Sequence, residues 1–459
     1  MGKAETDFHL ATPDYSTTAS IDEMRCAEFG RLDAEGHVYL DYTGGSLYAI
    51  SQIQQHMELL ASGVFGNPHS TNPTSLLSGK LIEEARQYIK DYFKAADYQL
   101  VFTANASQAL KIIGEGYPFQ EEGHFLLLFD NHNSVNGIRE YCRRKGAAYT
   151  YSPVRLEDLR INEQALEDNL NAFPEKRNKL FAFPAQSNVS GVKHDLSWIK
   201  KAKANGWDVL LDAAAFVPTN ALDLSVHQPE FVTMSFYKIF GYPTGLGALF
   251  IKNTVFEKLQ KAWFAGGTVK MVAVSSDNFF LAENYERFED GTLNYIGIPA
   301  LKFGFEKINS IGMSVIQRRV FMLTNWLLQQ MLSLKHKNGK PLVQIFGPQD
   351  MVSRGGTIIF NLFSPSGEPL SYFLIEQAAN AQKISLRTGC FCNPGIDEIN
   401  HAIGKEELSR YFTSHTITDL DHMSDSLGRM RGAIRVSLGW ASNYNDVDRF
   451  LRFLGGYLE

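Results

Sequence analysis

Cysteine is scarce in this chain, with four in 459 residues, at positions 26, 142, 390 and 392. That is too few for a disulfide scaffold, and the spacing fits no zinc-ligand pattern, so reduced thiols and no bound metal are expected. No stretch approaches the roughly 18 consecutive apolar residues of a membrane span. The opening segment from Met1 to Asp7 is too polar for a secretory signal. A cytoplasmic protein without a membrane partner is the expectation. Basic runs stop at Arg143-Arg144-Lys145, and a net charge of -6 with a pI near 6.1 argues against nucleic acid and for a small soluble substrate. Internal repeats and low-complexity tracts are missing as well.

What is present is ordinary globular composition, 44% hydrophobic and 20% charged, in a chain longer than one hydrophobic core usually supports. Short apolar runs alternate with amphipathic stretches from about residue 98 to 251, the pattern of strands joined by crossover helices. Strands are read at 99–103, 125–130, 147–152, 179–184, 208–212, 231–236 and 247–252, giving an α/β fold with a seven-stranded, mostly parallel sheet. Leu126 to Phe129 and Val209 to Leu211 are continuously apolar, as strands buried on both faces should be. Helical periodicity follows over 298–308 and 315–334. The expected organisation is an N-terminal arm over 1–60, a large domain over 61–310 and a smaller α+β domain over 311–459, with residues 400–431 as a long excursion between two of its strands.

Polar residues beyond the carboxyl ends of strands carry functional weight in open α/β sheets. Lys238 follows the apolar run from Phe231 to Phe236 and precedes a glycine-broken turn, so its amine is expected to be partly desolvated, with a lowered pKa suited to Schiff-base chemistry. Asp212 ends the preceding strand, and a lysine with a strand-end aspartate is a pyridoxal phosphate signature. Ser107 opens a helix after the first strand, where a phosphate would bind, although an ordinary cap would look the same. His132 follows the second strand and could stack on a pyridine ring or serve a structural hydrogen bond. Gln186 and Asn188 follow the fourth, as ligand amides or as a polar turn.

With these segments stand Tyr39-Leu40-Asp41-Tyr42-Thr43-Gly44-Gly45, Phe65-Gly66-Asn67-Pro68-His69-Ser70, Arg387-Thr388-Gly389-Cys390-Phe391-Cys392-Asn393-Pro394-Gly395 and Arg435-Val436-Ser437-Leu438-Gly439. In order and spacing they resemble the class V, fold-type I pyridoxal phosphate enzymes of the cysteine desulfurase group, and within it the N-terminal domain of molybdenum cofactor sulfurases. The resemblance implies the fold-type I architecture and pyridoxal 5'-phosphate as cofactor, linked to Lys238, with Asp212 at its ring nitrogen and His132 stacked on the ring. It implies that Ala106, Ser107, Ser235 and Tyr237 hold the phosphate, that Asn188 lies near ring and substrate, and that Arg387 and Arg435 bind the substrate. Thr268 corresponds to a residue that reaches the phosphate of a neighbouring subunit, so a homodimer is implied. Cys392 takes the place of the nucleophile that draws sulfur from L-cysteine, leaving alanine and a persulfide for a protein or cofactor acceptor.

The resemblance also implies a cofactor-handling C-terminal domain, which is not expected in a sequence that stops at Glu459. Two other readings use the same fold. A lyase or β-replacement enzyme acting on cysteine, cysteine sulfinate or a related amino acid would need the lysine, aspartate and arginine but not Cys392. A catalytically idle scaffold would be expected to have lost at least one of Lys238, Asp212 and Arg435.

Overall fold

The computed structural model describes residues 2–414, 422, 423, 426, 428 and 431–459; the remainder of the expected 400–431 excursion lies outside the described residues. Seven strands form its largest sheet: β1 (Tyr98–Thr103), β2 (His124–Leu128), β3 (Ala148–Ser152), β4 (Lys179–Pro184), β5 (Trp207–Asp212), β6 (Phe231–Ser235) and β7 (Gly247–Lys252). Their order is β1-β7-β6-β5-β4-β2-β3. Strands β3, β2, β4, β5 and β6 run parallel, while β7 lies antiparallel to both β6 and β1. Each expected strand is found within two residues of its expected bounds.

Side-chain alternation explains the unbroken apolar runs. In β2, Leu126 and Leu128 enter one core and Phe125 and Leu127 the other; in β4, Phe181 and Phe183 part from Leu180 and Ala182 in the same way. Both faces are covered, so neither parity can be polar. Truncating Phe181, stacked on Phe183 with ring centroids 5.1 Å apart, should cost about 4 kcal/mol. One face carries the helices Ala106–Gly116 and Ile138–Arg144, whose Leu110, Ile113 and Ile138 fill that core.

A second, fully antiparallel sheet comprises β8 (Val343–Phe346), β9 (Thr357–Leu362), β10 (Arg387–Gly389) and β11 (Ala433–Ser437), in the order β8-β9-β11-β10. The helices Ala300–Ile311 and Met313–Ser333 lead into it, separated at Gly312, whose φ of 89° only glycine adopts readily. The N-terminal helices are tied to this part of the chain by two buried guanidiniums: Arg319 donates to the half-exposed Asp22 at 2.6 Å and Arg25 to the buried Asp446 at 2.5 Å. The two-residue strand Val38–Tyr39 pairs in parallel with Ile384–Ser385, and Ser437 N–H donates to Leu40 O at 2.7 Å, which lays Asp41 beside β11.

Candidate active site

Strand ends converge on a cleft of about 690 Å³ including its open mouth, lined from β1 by Ala106 and Ser107, from β2 by His132, from β4 by Gln186 and Asn188, from β5 by Asp212, and from β6 by Ser235, Tyr237 and Lys238. Ser107 sits in the first turn of Ala106–Gly116, capped by the Asn105 side chain, which accepts from Gln108 N–H at 3.0 Å. Its hydroxyl lies 2.6 Å from that of Ser134, and Ser235 Oγ accepts from Ala106 N–H at 2.8 Å. Three hydroxyls at a helix N-terminus form a site for a phosphate dianion.

Lys238 stands on the short helix Phe236–Phe240 at the cleft wall. Burial lowers the pKa of its amine, Asp212 opposes that shift, and the Arg435 and Arg387 guanidiniums reinforce it. Burial likewise lowers the His132 pKa, so the ring lining the cleft is neutral at pH 7. Its Nδ1 accepts from Ser134 N–H at 3.1 Å, which fixes the ring's orientation. Asp212 Oδ1 accepts from Ala214 N–H at 3.0 Å, and its other oxygen meets no donor among the described residues. The cleft therefore suits a phosphorylated pyridine aldehyde. Lys238 offers an amine for covalent attachment, Asp212 a free carboxylate oxygen for a ring N–H, His132 a neutral flat ring, and the serines a phosphate cradle.

Beside the cleft, β10 and β11 place Arg387 opposite Arg435 in register. Asp41 joins them, accepting from Arg387 at 2.6 Å and from Arg435 at 2.9 Å. Arg435 is 3% exposed, donates to Asn188 O at 2.9 Å, and keeps a buried Nε with no acceptor among the described residues. Burial lowers its pKa, whereas hydrogen bonding to Asp41 raises that of Arg387.

The turn after β10 holds Phe391 and Cys392, both at a φ of 55°, a left-handed conformation unusual for such residues. The turn is held from three sides. Asn188 Nδ2 donates to Phe391 O at 2.8 Å, Asn133 N–H donates to Cys392 O at 2.7 Å, and Asn393 Nδ2 donates to Asp130 Oδ1 at 2.7 Å. Asp130 is wholly buried and also accepts from Ser187 Oγ at 2.9 Å, with His194 Nε2 3.3 Å away. At Gly395 the chain runs so close to β2 that a Cβ would overlap the Phe129 carbonyl oxygen. Cys392 remains exposed, within electrostatic reach of Lys238, Arg387 and Arg435, while burial raises the Cys390 pKa.

The structure thus gathers Ala106, Ser107, His132, Asn188, Asp212, Ser235, Tyr237 and Lys238 in one cleft, with Arg387, Arg435 and Cys392 at its side. It places Thr268 elsewhere: the buried Thr268 hydroxyl donates to Ala265 O and accepts from Ala265 N–H, both at 2.9 Å. Two residues with no role assigned from sequence take central positions, Asp41 and Asp130. Asp130 carries the same signal as Asp212, a carboxylate just beyond a strand. Asp41 is marked in the sequence only by its place between Tyr39 and Gly45.

The chain belongs to the class-V aminotransferases, the family whose sequence pattern covers residues 38–450. Within the curated members it is 37% identical over 458 residues to the human molybdenum cofactor sulfurase, covering 95% of this chain and 51% of that one. It is 37% identical over 474 residues to the molybdenum cofactor sulfurase of Oryza sativa subsp. japonica, covering 95% and 57%. The chain spans little more than half the length of these relatives. Its fold is that of solved cysteine desulfurases: the Thermococcus onnurineus NA1 enzyme superposes with a TM-score of 0.78 at 22% identity, over 95% of this chain and 97% of that one. The Escherichia coli enzyme gives 0.75 at 18%, over 95% and 98%.

Proposed function

We propose that this chain is a pyridoxal 5'-phosphate-dependent cysteine desulfurase that converts L-cysteine to L-alanine, with Cys392 as the first sulfur acceptor. The observation that carries this reading is the exposed Cys392 thiol, on a turn that Asn133 N–H anchors through the Cys392 carbonyl, within electrostatic reach of Lys238 and Arg435. Bound in the cleft, the cofactor would supply an electron sink for bonds at the substrate's α- and β-carbons. Ser107, Ser134 and Ser235 hold the phosphate and Asp212 the ring nitrogen. Arg435, with Arg387 beside it, orients the substrate carboxylate as a planar fork. Lys238 Nζ, whose basicity burial lowers, takes the proton from the α-carbon. The Cys392 thiolate attacks the substrate sulfur: a new S–S bond forms, the Cβ–S bond breaks, and its electron pair stays on carbon, where protonation gives alanine.

The likeness to molybdenum cofactor sulfurases supports a molybdenum cofactor as final acceptor of the Cys392 sulfur. Residues 61–310 would form the cofactor-binding unit and 311–459 the unit bearing the cysteine loop, with two copies pairing as a homodimer. Among the described residues, no helix is long and apolar enough to cross a membrane, and no cluster of His, Cys, Asp and Glu is arranged for a metal; we place the reaction in the reducing cytoplasm.

The test is incubation of the purified protein with L-cysteine and a reductant, measuring alanine and sulfide with and without Cys392→Ser. Equal yields of both products, lost in the variant with cofactor binding intact, are expected. Pyruvate as the product, or undiminished yield in the variant, would replace this reading with the lyase.

A further inference from the structure

Behind the main cleft lies a second cavity, of about 790 Å³ including its open mouth, between the Met313–Ser333 helix and the turns around Lys193, Asn220 and Arg354. Its charge is one-sided. Lys193, Arg318 and Arg354 line it, and no lining residue is an acid. None of the three forms an ion pair among the described residues, and the nearby Asp350 is taken by Arg160 at 2.7 Å.

Arg354 is 2% exposed, with its two terminal nitrogens donating to the Pro348 and Thr357 carbonyls and its Nε without an acceptor among the described residues. A guanidinium buried against neutral oxygens is poorly compensated, and burial pulls its pKa down to about 10. Burial also lowers the Lys193 pKa, with no partner charge to offset it. Positive groups focused in a concave, partly desolvated wall attract an anion more strongly than the same groups spread over an open surface.

The cavity is wired to the cleft. Gln317, on its rim, donates to Asn220 Oδ1 at 3.3 Å, and Asn220 Nδ2 donates to Gln186 Oε1 at 3.2 Å; Gln186 lines the main cleft. Gly355 closes against the same glutamine so tightly that a Cβ would collide with its amide. Asn220 thus joins the rim of the cavity to Gln186, its Nδ2 also donating to Phe216 O at 3.0 Å.

We propose that this cavity is a second ligand site, for a small molecule bearing a phosphate or carboxylate group, and that its occupancy is transmitted to the main cleft through Asn220 and Gln186. The oxyanion sits among Lys193, Arg318 and Arg354. Phosphate and carboxylate share this chemistry, and the probes separate them.

The experiment is calorimetric titration with inorganic phosphate and, separately, with succinate, on protein preloaded with pyridoxal 5'-phosphate so that the serine cradle is filled. Protein that takes up no cofactor is titrated as the Ser107→Ala variant instead, which keeps the two sites distinguishable. At least one probe should saturate a single site per chain, and Lys193→Gln with Arg318→Gln should weaken it roughly tenfold or more. Arg354 is left in place because it also ties two turns together. Absence of saturation by either probe, or equal affinity in the double variant, overturns the site. For the coupling, probe binding should shift the visible absorption of the bound cofactor, or in cofactor-free protein the backbone amide resonances of the 185–188 turn, and Asn220→Ala should bind the probe without that shift. A wild-type signal unmoved at saturation overturns the coupling.

Discussion

Asp41 carries two guanidinium groups that β10 and β11 set opposite each other, an arrangement in which like charges repel unless a carboxylate lies between them. Replacing it by asparagine leaves Arg435, almost fully buried, without its ionic partner. Loss of one member of such a pair costs about 3 kcal/mol. Asp41→Asn should therefore lower the melting temperature and raise the apparent KM for L-cysteine about tenfold, with a smaller change in kcat; an unchanged KM would separate Asp41 from substrate capture. Lys238 makes a prediction with a pH sign. A lowered pKa means that the amine, inert as a cation below that pKa, becomes free as pH rises through it, before an ordinary lysine near 10.5. Borohydride-trapped labelling of the protein by pyridoxal 5'-phosphate should rise and reach its plateau below the range of free lysine, and Lys238→Ala should remove it. A labelling profile that climbs only near the ordinary lysine pKa would contradict a desolvated Lys238.

The turn bearing Cys392 shows how an element is positioned by contacts far off in sequence. Asp130 reaches Asn393 across 263 residues and is held from behind by Ser187. Asp130→Asn should exchange one acceptor for a donor facing Asn393, releasing the turn; hydrogen-exchange protection at the Asn133 amide, which donates to Cys392 O, should fall, and kcat for alanine formation with it, while KM holds. Retained protection at Asn133 would show that the turn stands without Asp130. The same pair of aspartates marks the limit of what was legible. The seven strands could be read because β2, β4 and β5 are buried on both faces and so spell continuous apolar runs. Lys238 and Asp212 could be read because each follows such a run. Asp130 follows one too, and only the fold reveals that it faces Asn393 rather than the cleft. Asp41 follows a two-residue strand, too short to leave any periodicity.

At the scale of the molecule, the conspicuous feature is an apolar ribbon that none of the described residues covers. The strands Val269–Val272 and Phe279–Leu281 pair as an isolated hairpin, a unit marginal in water by itself. Met271 and Phe280 are 61% and 62% exposed, and Phe264 packs on Phe279 with ring centroids 4.9 Å apart, Trp263 adjoining. Contiguous apolar surface of this kind marks an interface. Thr268 sits at the base of the hairpin, where its carbonyl accepts from Ala282 N–H at 2.9 Å, away from the cleft of its own chain. A second copy seated on the ribbon would carry Thr268 toward the partner's phosphate cradle and cover the aromatic residues in one step. Wild-type protein should then sediment as a dimer, and Phe280→Glu, which puts a charge into the covered ribbon while leaving both sheets untouched, should sediment as a folded monomer that binds pyridoxal 5'-phosphate roughly tenfold more weakly. Thr268→Ala separates the two effects: it should stay dimeric and lose only cofactor affinity. A monomeric wild type, or a Phe280→Glu protein that remains dimeric with full affinity, would assign the ribbon to a different partner and leave Thr268 as a residue that does no more than close its own turn.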